Sequence, residues 1–165
     1  MSNTVAFEAV GEPAPQGSKR HVGHGIMVES SKKLKPWRDT VTAAAREAHD
    51  GAPIAGPVFV GVAFRFRRPQ SHYGTGRNAA TLKPSAPESP CTRATPDVDK
   101  LARGVLDALV AAGVIGDDAQ VSRLLASKVY VEPGQWTGAS VRVMTEINVK
   151  VPDVLDGAPR AGGVA

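Results

Sequence analysis

The sequence is poor in cysteine and aromatic residues, and it contains no long apolar run. Cys91 is the only cysteine among 165 residues, which excludes an internal disulfide and a zinc site built from several cysteines. No stretch of about 18 apolar residues occurs, so the sequence predicts no membrane span. The first residues lack the basic and apolar segments of a signal peptide. Together with the lone cysteine, this favours a reducing, cytoplasmic setting.

Motifs of nucleotide-binding proteins and of several hydrolase classes are also missing. The chain has no Walker A loop, no G-x-S-x-G and no H-E-x-x-H. Residues 74–79, GTGRNA, fit the pattern G-x-G-x-x-A, but no strand is predicted before them, as a dinucleotide fingerprint requires. We therefore expect no nucleotide cofactor.

The composition is that of an ordinary globular protein, but the charge is unevenly distributed. Hydrophobic residues make up 42% and charged residues 22% of the chain. Residues 1–96 carry 13 basic and 7 acidic side chains, whereas residues 97–165 carry 7 basic and 9 acidic ones. A basic half beside an acidic cluster is what a phosphate-binding surface around a metal site would show. An unevenly charged, solvated surface would show it too.

The spacing of apolar residues predicts a single α+β domain with the order β-α-β-α-β-β. Residues with period-two alternation predict the main strands, and apolar residues three and four apart predict the helices. We expect strands near residues 4–10, 57–66, 124–132 and 139–149, and helices near 35–49 and 98–112. The two main helices would pack on a mixed sheet. The domain would cover residues 1–151, with a long, irregular and mobile loop at 69–95 and a flexible tail at 152–165.

Acidic residues cluster where the long loop enters the second helix. Asp97 and Asp99 are two residues apart at this junction, so their carboxylates can converge on a hard cation such as Mg²⁺. Arg103 follows four residues after Asp99, on the same helix face. The turn after the helix contains Asp117 and Asp118, and this turn could fold back to supply a third ligand.

A purely structural interpretation of the same residues stays open at this point. Asp97 would be a helix N-cap, and Asp99 with Arg103 would form a surface pair worth a few tenths of a kcal/mol. Asp117 and Asp118 would be ordinary turn residues. Gathering these carboxylates without a cation, however, would cost repulsion.

Three segments of this region resemble RusA-type Holliday junction resolvases of phages and prophages. The segments are PDVDKLAR at 96–103, LDAL at 106–109 and DDAQV at 117–121. The resemblance implies a homodimeric, Mg²⁺-dependent endodeoxyribonuclease of α+β fold that cuts four-way DNA junctions, with Mn²⁺ as a possible substitute metal. It also implies the cytoplasm of a bacterial host as the setting.

The resemblance assigns residues to the site. The D-x-D pair falls on Asp97 and Asp99 and the second aspartate of D-D-A-Q on Asp118, which makes these three the catalytic metal ligands. Arg103 occupies a position where the family often has lysine, and it would stabilise charge in catalysis. Lys100 occupies a position where asparagine is common.

DNA would be held through its backbone phosphates by basic side chains outside this cluster. The candidates are Lys19, Arg20, Lys32, Lys33, Lys35, Arg65, Arg67, Arg68 and Arg77. Two alternatives to junction resolution remain. One is a nuclease for other branched DNA, and the other is a non-catalytic DNA-binding regulator on the same scaffold.

Overall fold

The protein is described here by a computed structural model. It covers residues 4–17 and 32–145 with their side chains, together with the backbone of residues 20–21 and 27–28. The described chain forms two α-helices, a four-stranded sheet, a short two-stranded ribbon and three 3-10 turns. The sheet strands are β1 Thr4–Val10, β4 Val58–Arg67, β5 Val121–Val131 and β6 Gly138–Thr145. The ribbon is β2 Arg20–His21 with β3 Met27–Val28, and the helices are α1 Leu34–Ala48 and α2 Val98–Ala112. The 3-10 turns are Gln70–His72, Gly76–Asn78 and Asp118–Gln120.

The main sheet is mixed, with the strand order β1-β6-β4-β5. β6 lies antiparallel to both β1 and β4, whereas β5 lies parallel to β4. Parallel neighbours need a connection that crosses the length of the sheet, and here that connection contains the long loop and α2. The two ends of α2 therefore lie near opposite ends of β5.

The core lies between the two helices and one face of the sheet. Along β4, Val58, Val60, Val62 and Phe64 are buried and alternate with partly exposed residues, because successive side chains of a strand point to opposite faces. The buried residues of α1 and α2 pack against this row; they include Trp37, Val41, Ala45, Leu101, Val105 and Leu109. Gly113 ends α2 in a left-handed conformation with φ of 80°.

The predicted fold class is confirmed, with differences at the ends of elements. Apart from the ribbon of β2 and β3, the structure has the expected α+β order β-α-β-α-β-β, with both helices packed on a mixed sheet. β5 begins at Val121 instead of residue 124, because its parallel pairing with β4 extends to Val58. The ribbon strand β2 was not predicted, and two residues give too little alternation to be detected. Residues 146–149 of the predicted last strand and the tail at 152–165 lie outside the described residues.

Residues 69–95 are irregular, as predicted, but they are tied to the sheet at several points. The Arg68 guanidinium donates hydrogen bonds to the carbonyl oxygens of Pro87 at 2.6 Å and Glu88 at 3.2 Å. The same group stacks 4.3 Å from the centre of the Tyr130 ring in β5. An isolated bridge also joins Tyr73 to Leu82. These contacts bring the loop back to the end of β4 and β5 before it enters α2; the mobility of the loop stays a prediction.

In the described ranges, no helix is both long and apolar enough to cross a membrane.

Replacing Arg68 tests how the long loop is held. We expect Arg68→Met to lower the free energy of unfolding by about 2 kcal/mol, because two charge-assisted hydrogen bonds and one cation–π contact are lost. Amide exchange should rise within residues 69–95. The exposed neighbour Arg67 is the control, and Arg67→Met should stay within about 0.5 kcal/mol. Equal urea-unfolding midpoints for the two variants would contradict this role of Arg68.

Candidate active site

Asp97 stands at the N-cap position of α2, but its side chain does not cap the helix. Its backbone is extended, with φ of −64° and ψ of 137°, and its carboxylate accepts no capping hydrogen bond from the backbone amides of the first turn. Instead, Asp97 Oδ2 accepts a hydrogen bond from Lys100 Nζ at 2.8 Å. The structure therefore does not support the capping interpretation of this side chain: the carboxylate is exposed and holds a cationic group.

The charges around Asp97 keep its carboxylate ionised. The hydrogen bond and the positive charge of Lys100 lower the pKa of the Asp97 carboxyl, and the charge of Lys128 adds to this effect. Reciprocally, Asp97 raises the pKa of the Lys100 ammonium. A metal ligand must be deprotonated, so this environment keeps Asp97 in the form that a cation requires.

Asp99 and Arg103 occupy exposed positions on the first two turns of α2. Their spacing would allow an ion pair on the helix surface. Neither side chain, however, forms a hydrogen bond or an ion pair with any residue in the described part of the chain. Both charged groups thus remain available to a ligand on the Asp97 side of α2.

A cavity of about 370 Å³ opens beside Asp97. Its walls come from the segment after β1, the last residues of the long loop, the start of α2, and β5. The lining residues are Pro15, Cys91, Thr92, Arg93, Thr95, Pro96, Asp97, Lys100 and Lys128. Two hydrogen bonds join these segments. Lys128 Nζ donates to the Pro96 carbonyl at 2.9 Å, and the backbone N–H of Gln16 donates to the Lys100 carbonyl at 3.0 Å.

The two aspartates of the D-D-A-Q segment have different surroundings. Asp117 Oδ1 accepts a hydrogen bond from the Ala119 amide at 2.8 Å, so Asp117 caps the 3-10 turn. Gln120 completes a capping box: its Oε1 accepts from the Gly116 amide at 2.7 Å and the Asp117 amide at 3.1 Å. Its Nε2 donates to the carbonyl oxygens of Ile54 and Gly56, both at 2.9 Å. Asp118 is exposed and has no hydrogen bond or ion pair within the described residues.

Within one chain the structure does not bring Asp118 to Asp97 and Asp99, and the role of Asp118 as a metal ligand stays a prediction. Asp97 starts α2, whereas Asp118 follows its end, and a helix of 15 residues is about 22 Å long. β5 gives a similar separation, because Lys128, which contacts Pro96, is seven residues or about 23 Å beyond Val121. Among the described residues, no three His, Cys, Asp or Glu side chains come together in a way that could hold a metal ion. The parallel crossover keeps the third predicted ligand away from the first two.

The predicted DNA-binding cations divide into engaged and free side chains. Lys33 pairs with Glu12 at 2.8 Å, and Lys35 pairs with Asp39 at 2.7 Å. Arg68 holds the long loop, as described above. Lys32, Arg67 and Arg77 are exposed, whereas the side chains of Lys19 and Arg20 lie outside the described residues.

Arg65 is also engaged, through the segment before β6. Its guanidinium stacks 4.0 Å from the Trp136 ring centre and lies 3.4 Å from the Trp136 carbonyl oxygen. Of the three arginines at the end of β4, Arg65 and Arg68 therefore pack on aromatic rings, and Arg67 is the exposed one.

Sequence reasoning did not include three residues that the structure brings to the sites. Arg93 and Lys128 line the cavity beside Asp97, and Gln120 builds the turn that presents Asp118. For Lys128 a signal existed in the sequence: it interrupts the apolar and aromatic row Leu124, Ala126 and Tyr130, which lies on the same face of the sheet as the buried Phe64 of β4. A lysine on that face needs a polar partner.

No curated protein matches this chain. The chain does match the family described as Endodeoxyribonuclease RusA, over residues 10–144. The matched region contains both helices, the cavity beside Asp97 and the turn that carries Asp118. The chain therefore belongs to the RusA endodeoxyribonuclease family.

Proposed function

We propose that this protein is a Mg²⁺-dependent endodeoxyribonuclease that resolves four-way DNA junctions by paired hydrolysis of two phosphodiester bonds. It would act as a homodimer in the cytoplasm of a bacterial cell that carries the gene on a phage or prophage. The observation that carries the proposal is the pair Asp97 and Asp99 in a chain of this nuclease family. Both carboxylates are exposed at the start of α2, and neither caps the helix nor pairs with Arg103.

The residues present fit a divalent cation. The Asp97 carboxyl is exposed, and the Lys100 ammonium at 2.8 Å lowers its pKa, so Asp97 is in the deprotonated form that a metal ligand needs. Mg²⁺ prefers one or two carboxylates, waters and phosphate oxygens, and Asp97 with Asp99 supplies such a set. When bound, the cation would activate a water molecule and offset charge on the phosphate. Asp97, Asp99 and Asp118 are the residues that would hold it.

The remaining residues would orient and stabilise the substrate. Arg103 lies one turn after Asp99, and a guanidinium stays protonated at any working pH, so it cannot be the general base. Its role would be to stabilise charge as the leaving oxygen departs. The free basic side chains around the site would contact backbone phosphates without reading bases.

A homodimer would give Asp118 a place in the site that a single chain does not provide. A four-way junction is approximately two-fold symmetric, and a C2 dimer would present two sites to opposing strands. About 20 Å separates Asp118 from Asp97 within one chain, since they lie at opposite ends of α2. We propose that Asp118 of the partner subunit approaches Asp97 and Asp99, so that each metal site needs two chains.

The main experiment compares substrates with and without Mg²⁺. Labelled four-way junction, flapped duplex and linear duplex are incubated with the protein, and the products are resolved on denaturing gels. Symmetric paired cuts in the junction alone, dependent on Mg²⁺, are expected. Cleavage of the flapped DNA instead would establish a nuclease for other branched substrates. Binding without cleavage would establish a regulatory protein.

Isosteric substitutions test the ligands. We expect Asp97→Asn, Asp99→Asn and Asp118→Asn each to reduce single-turnover cleavage at least roughly a hundredfold, because the metal loses a charged ligand. Junction binding should be kept or strengthened, since repulsion of the phosphates falls. Asp117→Asn is the matched control: asparagine caps as well as aspartate, so both cleavage and melting should stay normal. Normal turnover in Asp118→Asn would remove that residue from the site.

Mixed dimers test whether each site takes residues from both chains. Asp99→Asn and Asp118→Asn homodimers should both be inactive. In a mixed dimer, one shared site would lose both residues and the other would be intact. After random mixing, about a quarter of all sites should be intact. Their activity would appear as single nicks in the junction. No recovery, with mixed dimers verified by mass spectrometry, would place all three ligands within one chain.

Substitutions of Arg103 separate catalysis from packing. Arg103→Lys should retain much of the activity, whereas Arg103→Ala should lose roughly a hundredfold in single-turnover rate, the scale of one preorganised charge-stabilising donor. Melting should not change, because the side chain is exposed and unpaired within the described residues. The control is Arg38→Ala, which breaks the 3.6 Å pair between Arg38 of α1 and Asp107 of α2 and should leave cleavage normal. Full activity of Arg103→Ala would exclude the catalytic role.

A further inference from the structure

We infer that the cavity beside Asp97 is a binding subsite for a DNA backbone phosphate, with Lys128 and Lys100 as its main donors and Arg93 at its edge. The inference rests on the proposed function, because it names the part of the nucleic acid that this cavity receives. None of these three cations was among the basic residues predicted to bind DNA.

Lys128 is a lysine in an unusual place. It lies in β5 opposite the fully buried Phe64, on the face of the sheet that the core covers along β4. Its side chain is partly buried, and its one described hydrogen bond goes to the Pro96 carbonyl at 2.9 Å. An ammonium has three donors, so two remain for a ligand in the cavity that Lys128 lines.

Lys100 contributes a second ammonium to the same space. It donates to Asp97 Oδ2 at 2.8 Å, and both Lys100 and Asp97, a predicted metal ligand, line the cavity. A phosphate bound by Lys100 and Lys128 would thus lie directly beside Asp97. This is where a nuclease needs the phosphate of its scissile or adjacent nucleotide.

The charge and size of the cavity favour a phosphate. Three cationic side chains, Arg93, Lys100 and Lys128, line it against one carboxylate, Asp97. This leaves an excess of two positive charges, which attracts an anion. With a volume of about 370 Å³, the cavity is large enough for a phosphodiester group and several waters. Charge-assisted hydrogen bonds from lysine to phosphate oxygen are stronger than neutral ones.

The test is the salt dependence of junction binding, measured by fluorescence anisotropy without divalent metal. Each lost phosphate contact should reduce the slope of log K against log salt by about 0.9. We expect this reduction in Lys128→Gln and in Lys100→Gln, with affinity falling roughly tenfold at fixed salt. Lys128→Arg should restore both the slope and the affinity, because it keeps the charge.

Lys83 provides a matched control. Its ammonium also donates to a backbone carbonyl, that of Ser71 at 2.8 Å, but it lies outside the cavity. Lys83→Gln should therefore bind junction with an unchanged slope. Thermal melting of every variant identifies any loss of folding, and if Lys128→Gln does not fold, the exposed Lys100→Gln carries the test.

The outcomes separate this inference from the proposed function. If Lys128 only positions Pro96 and Asp97, Lys128→Gln will lose cleavage with its binding slope unchanged, and the subsite is overturned. If the wild-type protein binds junction and both lysine variants keep its slope, the subsite again fails while the nuclease proposal stands. If the wild-type protein binds no junction, the proposed function fails first.

Discussion

The parallel pairing of β4 with β5 is the constraint on which the arrangement of this protein depends. Two parallel neighbours cannot be joined by a tight turn, so the chain must return along the sheet before β5 begins. The long loop and α2 make this return. As a result, the start of α2 meets the far part of β5 at Lys128, and the end of α2 leads into the turn before Val121. The two groups of aspartates are placed at opposite ends of one helix by this connection alone.

The start of α2 lacks two local interactions that its sequence allows and that would stabilise the helix. A side-chain cap at the N-cap position stabilises a helix by about 1 kcal/mol, and a surface pair such as Asp99 with Arg103 adds a few tenths of a kcal/mol. Neither forms, and Lys100 takes the Asp97 carboxylate instead. The opposite end shows the contrast: Asp117 and Gln120 form a complete capping box, and Asp118 alone stays unengaged. The two ends of α2 therefore hold their aspartates differently: a lysine side chain engages Asp97, whereas backbone amides and Gln120 fix the turn that carries Asp118.

Positive charge in this protein serves two different purposes. Arg65 and Arg68 stack on Trp136 and Tyr130, and they tie two loops to the end of the sheet. Lys100 and Lys128 instead surround a cavity next to a carboxylate. The planar guanidinium suits stacking and bonding to several carbonyl oxygens, whereas the ammonium is a compact point charge. Net charge alone cannot separate these uses, because it counts both alike.

Much of the fold and part of the site could be predicted from the sequence. Alternation along β4 and the apolar spacing of α2 are local patterns, so these elements were predicted within one residue of their ends. The aspartates of D-x-D and D-D-A-Q are likewise local, and the family match confirms the chemical class that they indicated. The shared cavity could not be predicted, because Arg93, Lys100 and Lys128 come from a loop, a helix and a strand. The separation of Asp118 from Asp97 was also decided by tertiary structure. In sequence the two aspartates flank α2, and a turn after the helix could lead the chain back toward Asp97. The parallel register of β5 with β4 shows that it does not.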